Sequence, residues 1–244
     1  MRLDVYLTEH GMVSSRTEAK GFIIDSAVKV NGKVITKPAF DVAEDAVVEI
    51  DKSSKKYVGR GGMKLEAAIA AFGISVEGKK AIDIGASSGG FTDCLLQNGA
   101  ASVIALDSGT AQLVEKLRKD ARVISIENYN ARYMVAEDLP YLPDLCVMDV
   151  SFISATYIIP AIRRVLAPMS DFICLIKPQF EVGKSGLGKG GIVKNAKLRQ
   201  DAVDKVVKFA EENGFKCQKL IESPIIGGDG NIEFLAYFQN GENP

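Results

Sequence analysis

The stretch that decides the fold is Ala81-Ile-Asp-Ile-Gly-Ala-Ser-Ser-Gly-Gly-Phe-Thr92. It begins as a short, largely apolar strand, passes through a glycine-rich turn and continues as a helix. A strand, a turn and a helix in this order are typical of a doubly wound α/β sheet. A dinucleotide-binding turn would have glycine where this chain has Ser87, so the sequence disfavours NAD and FAD.

Strands and helices alternate from this stretch almost to the end of the chain. A helix is expected from about Met63, and the apolar runs predict strands near residues 80–85, 102–107, 122–126, 145–149, 171–177, 216–224 and 231–239. No helical pattern separates the last two runs. We therefore expect an antiparallel hairpin at one edge of a seven-stranded, Rossmann-like sheet.

The first fifty residues predict a separate, small α+β unit. Ser15-Arg-Thr-Glu18 has the form of a capping box and indicates a helix from about Arg16 to Asp25. Apolar and polar residues then alternate from Val28 to Ile35 around Asn31-Gly32, a strong hairpin signal, and Ala46 to Ile50 supplies a further strand.

The composition is that of a folded protein with one large domain and one small one. The chain has 244 residues, of which 47% are apolar and 25% charged. We expect domains at 1–52 and 62–244, joined by a basic, glycine-rich linker at 53–61. The four cysteines lack metal-ligand spacing, so neither a metal site nor a disulfide framework is expected.

The charge and hydropathy patterns limit the cellular locations and the binding partners that the sequence allows. With 30 basic and 31 acidic residues the net charge is −1, so affinity for nucleic acid would have to come from local clusters. No segment reaches the roughly 18 apolar residues that span a bilayer, and Asp4 and Glu9 stand where a signal peptide is apolar. We therefore expect a cytoplasmic protein without a membrane segment.

The glycine-rich turn resembles motif I of S-adenosyl-L-methionine-dependent methyltransferases. Asp83 stands two positions before Gly85, Gly89-Gly90 follows, and the next strand ends in Asp107, where a carboxylate can meet ribose hydroxyls. The resemblance implies S-adenosylmethionine as the cofactor. The binding residues that it implies are Asp83, Gly85, Ala86, Ser87, Gly89, Gly90, Phe91, Asp107 and Asn130.

Two kinds of methyltransferase are disfavoured because their motifs are missing. Amino-group methyltransferases carry Asn or Asp followed by Pro-Pro and an aromatic residue after the fourth strand, whereas this chain has Asp149-Val-Ser-Phe152. Cytosine C5 enzymes need a nucleophilic cysteine, commonly after a proline, and no cysteine here follows one.

Charged residues at the strand ends indicate a different chemistry. Asp149 and Lys177 follow parallel strands whose carboxyl ends share one edge, and Glu233 can join them from the antiparallel last strand. With Lys64 from the first helix they resemble the Lys-Asp-Lys-Glu tetrad of FtsJ-type ribose 2′-O-methyltransferases, which implies that all four are catalytic. Lys177 could stabilise a developing alkoxide or accept the hydroxyl proton, and the sequence leaves both roles open.

The N-terminal unit resembles the S4 RNA-binding module. Arg2-Leu-Asp4, Ser15-Arg16, Ala19 and Val28-x-Val-Asn-Gly32 carry the resemblance, although Ser26-Ala27 stands where a glycine often closes the second helix. With Arg60-Gly-Gly-Met-Lys-Leu-Glu66 and the cofactor loop, the chain resembles the TlyA family, often labelled haemolysin, whose members act as rRNA cytidine 2′-O-methyltransferases. Its length resembles the shorter family type, which modifies 23S rRNA only.

The resemblance implies rRNA or a ribosomal subunit as the partner. Candidate phosphate contacts are the basic residues of the small unit, the linker and the glycine-rich segment after Lys177, namely Arg2, Arg16, Lys20, Lys29, Lys33, Lys37, Lys55, Lys56, Arg60, Lys184 and Lys189. Two alternatives are a membrane-active haemolysin, for which no amphipathic or spanning segment is found, and a non-catalytic RNA-binding adaptor. The complete tetrad argues against the adaptor.

Overall fold

The computed structural model describes residues 1–13, 16–24, 27–51, 56–227 and 230–241. It divides into two compact units, Met1–Arg60 and Gly61–Pro244, which are described separately. The predicted capping box cannot be followed, since Ser15 and the side chain of Glu18 lie outside the described part of the chain. The same holds for Asp25, Ser26 and Lys55.

The small unit packs two helices against a three-stranded sheet. Its elements are α1 (Leu3–Glu9), α2 (Arg16–Ile24), β1 (Val28–Val30), β2 (Lys33–Val34) and β3 (Val48–Ile50), with β1 antiparallel to both neighbours. Asn31 and Gly32 both have positive φ, as a two-residue hairpin turn requires, so the predicted hairpin is confirmed. Leu3, Phe22 and Val28 are among the residues of its core.

The large unit is a seven-stranded sheet with helices on both faces. Its elements are α3 (Gly61–Phe72), β4 (Lys80–Ile84), α4 (Gly90–Gln97), β5 (Ser102–Leu106), α5 (Glu115–Arg118), β6 (Val123–Ile126), β7 (Leu145–Met148), α6 (Ile159–Val165), β8 (Asp171–Ile176), α7 (Pro178–Glu181), α8 (Ala196–Glu212), β9 (Phe215–Glu222) and β10 (Phe234–Asn240).

The strand order is β6-β5-β4-β7-β8-β10-β9. The first five strands are parallel, and β10 runs antiparallel to β8 and β9, which confirms the predicted fold and its edge hairpin. The predicted last strand, 231–239, begins only at Phe234. Asn231 precedes the strand, and its side chain accepts a hydrogen bond from the Val193 amide and donates one to the Gly191 carbonyl oxygen.

Side-chain alternation along the central strands explains the two helical layers. Ile82 and Ile84 point to one face and join a core that includes Ile162 of α6 and Val206 of α8. Asp83 points to the opposite face, where Thr92 of α4 donates a hydrogen bond to it. The carboxyl ends of β4, β5, β7 and β8 therefore meet at one edge between these layers.

Candidate active site

The loop after β4 depends on two glycines for different reasons. Gly85 has a φ of 85°, and a Cβ atom there would collide with the carbonyl oxygen of Asp149, so glycine lets the ends of β4 and β7 approach each other. Gly89 caps α4 with a φ of 100°, and a Cβ atom would collide with Leu117 and Leu113. The second glycine therefore serves packing against α5.

Asp107, at the end of β5, fixes the conformation of this loop. One carboxylate oxygen accepts a hydrogen bond of 2.8 Å from the Ser87 amide, and the other accepts one of 2.7 Å from the Gly109 amide. Charge-assisted bonds of this kind are stronger than neutral ones. The carboxylate thus joins the loops after β4 and β5.

A cavity of about 460 Å³ opens at this edge of the sheet, within the size range of small-molecule sites. Four of the predicted cofactor residues line it, namely Gly85, Ser87, Asp107 and Asn130, and Asp149 lines it as well. The other five are not part of the lining, namely Asp83, Ala86, Gly89, Gly90 and Phe91.

Eleven further residues line the cavity that were not predicted from the sequence, namely Ile84, Leu106, Ser108, Gln112, Tyr129, Ala131, Val150, Ser151, Phe152, Ile153 and Ile158. Most of them come shortly after the carboxyl ends of β5, β6 and β7. Their position after parallel strands was the available signal, because that edge of an open α/β sheet is where ligands bind.

Asp83 is a buried carboxyl group with an incomplete set of hydrogen bonds. Thr92 Oγ1 donates to Oδ2 at 2.7 Å, and among the described residues Oδ1 has no hydrogen-bond partner. Burial, opposed by the hydrogen bond from Thr92 and aided by the charge of Asp149, raises the pKa of Asp83 to about 7. A buried oxygen of this kind can accept a hydrogen bond from a ligand that enters the site.

Lys177 and Asp149 form an ion pair at the same edge. Lys177 Nζ lies 2.5 Å from Asp149 Oδ1 and donates a hydrogen bond of 2.9 Å to Ser151 Oγ. The side chains keep 11% and 22% of their accessible surface, so the pair can still be reached by a substrate. Pro178 ends the strand and starts α7, which leaves Lys177 at the sheet edge.

Lys64 and Glu233 form a second ion pair that is more deeply buried. Lys64 Nζ lies 2.5 Å from Glu233 Oε2, and the side chains keep 9% and 3% of their accessible surface. Lys64 belongs to the first turn of α3, and Glu233 directly precedes β10. The structure therefore arranges the four predicted catalytic residues as two ion pairs.

Two observations place these two pairs near each other. Gln179 is two residues beyond Lys177, and its Nε2 donates a hydrogen bond of 3.4 Å to Glu233 Oε1. A Cβ atom built on Gly61, one turn before Lys64, would lie 3.8 Å from Asp149 Oδ2. Both pairs thus belong to one polar cluster beside the cavity.

Glu181, which was not predicted from the sequence, joins the segments that carry this cluster. Its buried carboxylate accepts hydrogen bonds of 2.6 Å from Ser154 Oγ and 2.7 Å from the Ala155 amide, and Lys205 Nζ lies 3.0 Å away. Glu181 thereby links the helix that follows Lys177 to the loop that follows Asp149.

The predicted RNA contacts fall into two groups. The first comprises exposed residues, namely Lys20, Lys29, Lys33, Lys37, Lys56, Lys184 and Lys189, with Arg60 partly exposed. The second is Arg2 and Arg16, which are also exposed but both bind the buried carboxylate of Asp4, at 2.9 and 3.0 Å. Hydrogen bonding to Arg2, opposed by burial and aided by Arg16, lowers the pKa of Asp4 to about 2.

In the part of the chain that the structure describes, no helix combines the length and the apolar character needed to cross a membrane.

Comparison with known families divides the chain at the same place. Residues 57–240 match the model of the FtsJ-like methyltransferases, and residues 1–48 match that of the S4 domain. The predicted enzyme class, a methyltransferase that uses S-adenosylmethionine, is thereby confirmed.

Individual relatives match along nearly the whole chain. Hemolysin A of Brachyspira hyodysenteriae is 45% identical over 98% of this chain and 99% of its own length. The 16S/23S rRNA (cytidine-2′-O)-methyltransferase TlyA of Mycobacterium tuberculosis is 39% identical over 98% of this chain and 89% of its own. A solved hemolysin-type structure from Streptococcus thermophilus is 42% identical, with a TM-score of 0.80 over 100% of this chain and 90% of its own. The chain therefore belongs to the TlyA family, in which an S4 domain precedes an FtsJ-like methyltransferase domain.

Proposed function

We propose that this protein transfers a methyl group to the ribose 2′-hydroxyl of a cytidine in 23S rRNA, in the cytoplasm. The Lys177–Asp149 pair beside the cavity carries the proposal, because a lysine and a carboxylate at that edge suit the activation of a hydroxyl group. The relative from Mycobacterium tuberculosis and a 23S rRNA (cytidine-2′-O)-methyltransferase TlyA of Campylobacter jejuni support the choice of substrate.

The residues around the cavity fit S-adenosylmethionine. Asp107 offers a carboxylate to ribose hydroxyls, and Gly85 lines the cavity where the ends of β4 and β7 approach each other. Asn130 and Ser87 add polar groups to the wall. Asp83 is not part of the wall, but its buried oxygen, which has no partner among the described residues, would suit a cationic amine. When bound, this cofactor supplies a methyl group that its sulfonium charge has already activated.

The protein must then align the ribose hydroxyl and remove its proton. That hydroxyl has a pKa far above 7, so an unassisted oxygen is a poor nucleophile. We assign to Lys177 the task of holding the oxygen and stabilising the negative charge that develops on it. Asp149, which lines the cavity and contacts the same ammonium, is the base of the pair.

Lys64 and Glu233 complete the proposed catalytic set. Their burial suits a role in holding α3 and the start of β10 against the reacting groups, with Gln179 as the connection. A buried ion pair with a further hydrogen bond to one member restricts the positions of the side chains that form it. Lys177 and Asp149 thereby remain in place for the hydroxyl.

We assign RNA binding to the domain at 1–52, with the linker at 53–61 and the methyltransferase domain at 62–244. The exposed Lys29, Lys33 and Lys37 on or beside the ribbon of the small unit support this assignment, since phosphate contacts supply most nonspecific affinity. Lys184 and Lys189 add exposed cations in the large unit.

Single-turnover methylation of 23S rRNA with saturating cofactor tests the mechanism. Lys177→Ala should lower the rate by roughly 10²-fold or more, because transition-state stabilisation is lost. Cofactor affinity, measured by calorimetry, should stay close to that of the parent. Lys208→Ala is the control, since Lys208 forms an exposed pair with Glu212 on α8. A Lys177→Ala rate close to the parent's would show that the mechanism is wrong.

A further inference from the structure

Two exposed tyrosines flank one arginine near the rim of the cavity. The Arg132 guanidinium lies 4.7 Å from the centroid of the Tyr157 ring and 5.8 Å from that of Tyr133. The tyrosines expose 69% (Tyr133) and 57% (Tyr157) of their surface. Such contacts hold a guanidinium in position while its outer side remains open to solvent.

Capping side chains fix the two segments that carry these rings. Asn130 Oδ1 accepts a hydrogen bond from the Arg132 amide and starts the short helix Ala131–Tyr133. Ser154 Oγ does the same for the Thr156 amide and the short helix Ala155–Tyr157. The backbone that carries each tyrosine ring is therefore held in a fixed conformation.

A second arginine belongs to the same surface. Arg164 of α6 is exposed, and its Nη2 donates a hydrogen bond of 3.4 Å to the carbonyl oxygen of Met134, directly after Tyr133. The neighbouring acids are Glu137 and Asp138, and the carboxylate of Asp138 accepts a hydrogen bond from Tyr129. The two arginines and the two tyrosine rings thus lie on one area of the surface.

This area continues into the cavity. Asn130 and Ala131 line the cavity just before Arg132, and Ile158 lines it just after Tyr157. A substrate whose reacting group enters the cavity would extend across these rings. Aromatic rings combined with arginine suit unpaired nucleotides, because bases stack on ring faces and guanidinium groups bind phosphate.

We propose that Arg132, Tyr133, Tyr157 and Arg164 form a stacking surface that binds unpaired rRNA nucleotides adjacent to the methylated one. This inference rests on the proposed function. It identifies the nucleotides next to the target as the part of the substrate that the methyltransferase domain itself binds. It requires the RNA around the target ribose to be unpaired.

The test compares the double variant Tyr133→Ala/Tyr157→Ala with Tyr133→Phe/Tyr157→Phe. Stacking is worth about 1–3 kcal/mol per base, so the double alanine variant should bind large ribosomal subunits and protein-free 23S rRNA at least tenfold more weakly. Its single-turnover rate at saturating RNA should stay near the parent's. The phenylalanine variant should keep parental affinity, since the rings remain.

Two further variants sharpen the comparison. Arg132→Ala should weaken RNA binding and reduce the slope of log K against log salt by about 1, as the loss of one phosphate contact predicts. Met169→Ala is the control, because Met169 is similarly exposed but precedes β8 at the opposite edge of the sheet. This variant should leave RNA affinity and its salt dependence unchanged.

The possible results distinguish a failure of the stacking surface from a failure of the proposed function. If the double alanine variant binds and methylates rRNA as the parent does, the stacking surface is wrong and the proposed function stands. If it loses affinity for subunits but not for protein-free 23S rRNA, the surface binds a ribosomal protein, which also overturns the proposal. If the parent itself neither binds nor methylates rRNA, both proposals fall.

Discussion

The ammonium of Lys64 and the carboxylate of Glu233 lie 2.5 Å apart although 169 residues separate them in sequence. Both side chains are almost completely withdrawn from water. Removing one member of a buried pair leaves an uncompensated charge, which typically costs more than the pair itself contributes. The pair should therefore matter for folding as well as for the proposed reaction.

Glu233→Ala should lower the free energy of unfolding by about 3–5 kcal/mol, because Lys64 would lose its buried partner. Urea titration followed by circular dichroism measures this loss. Glu115→Ala is the control, since the exposed Glu115–Lys119 pair should contribute no more than about 1 kcal/mol. Equal losses in the two variants would contradict the assignment.

The sheet was predictable because its strands are short apolar runs between polar turns. Asp107, Asp149 and Lys177 follow from the same pattern, since they end parallel strands. Gln179 and Glu181 were not predictable, because their partners come from other segments that approach only when the loops fold. Sequence spacing does not encode such distances.

The turn geometry was also hidden from the sequence. The glycine at position 89, predicted as a cofactor-binding residue, also makes room for two leucines around α5. Phe152 adopts a φ of 65°, an uncommon conformation for an aromatic residue, and so lies at the cavity with its ring exposed. Neither outcome follows from residue type.

Asp107→Ala should weaken S-adenosylmethionine binding by about 1.5–3 kcal/mol, the usual range for hydrogen bonds to a charged group. The loss includes the release of the Ser87 and Gly109 amides that the carboxylate now holds. Isothermal calorimetry on the full chain measures it. Asp120→Ala, which breaks a surface pair with Arg122, should leave the affinity unchanged. Unchanged affinity in Asp107→Ala would remove this residue from the site.

Asp83 should make the protein less stable as pH rises. Its pKa is about 7 in the folded chain and ordinarily 3.8, so between these values the folded state binds a proton that the unfolded state lacks. The stabilising contribution is complete below about pH 4 and is lost as pH rises to 7. Thermal melting from pH 4 to 8 should show a smaller decrease in Tm for Asp83→Asn than for the parent. Parallel curves would contradict the raised pKa.

Asp4 should behave in the opposite sense. Its pKa is lowered to about 2, so its contribution is present above pH 3.8 and is lost as pH falls through 2. Asp4→Ala should therefore speed hydrogen exchange in α1 and α2 at pH 7, because Arg2 and Arg16 lose their common partner. The difference from the parent should shrink below pH 3. Glu9→Ala, at an exposed site on α1, should exchange like the parent. Equal exchange in Asp4→Ala would mean that the pairing contributes nothing.

Strand β10 follows β9 in sequence but lies between β8 and β9 in the sheet. During translation β8 therefore keeps an unpaired edge until β10 has left the ribosome, and β9 has no strand in the sheet to pair with before then. Glu233 immediately precedes β10, so Lys64 also waits for its partner until that moment. The lysines of the small unit are made long before this step. A nascent chain consequently presents the proposed RNA-binding surface before the proposed catalytic cluster is complete.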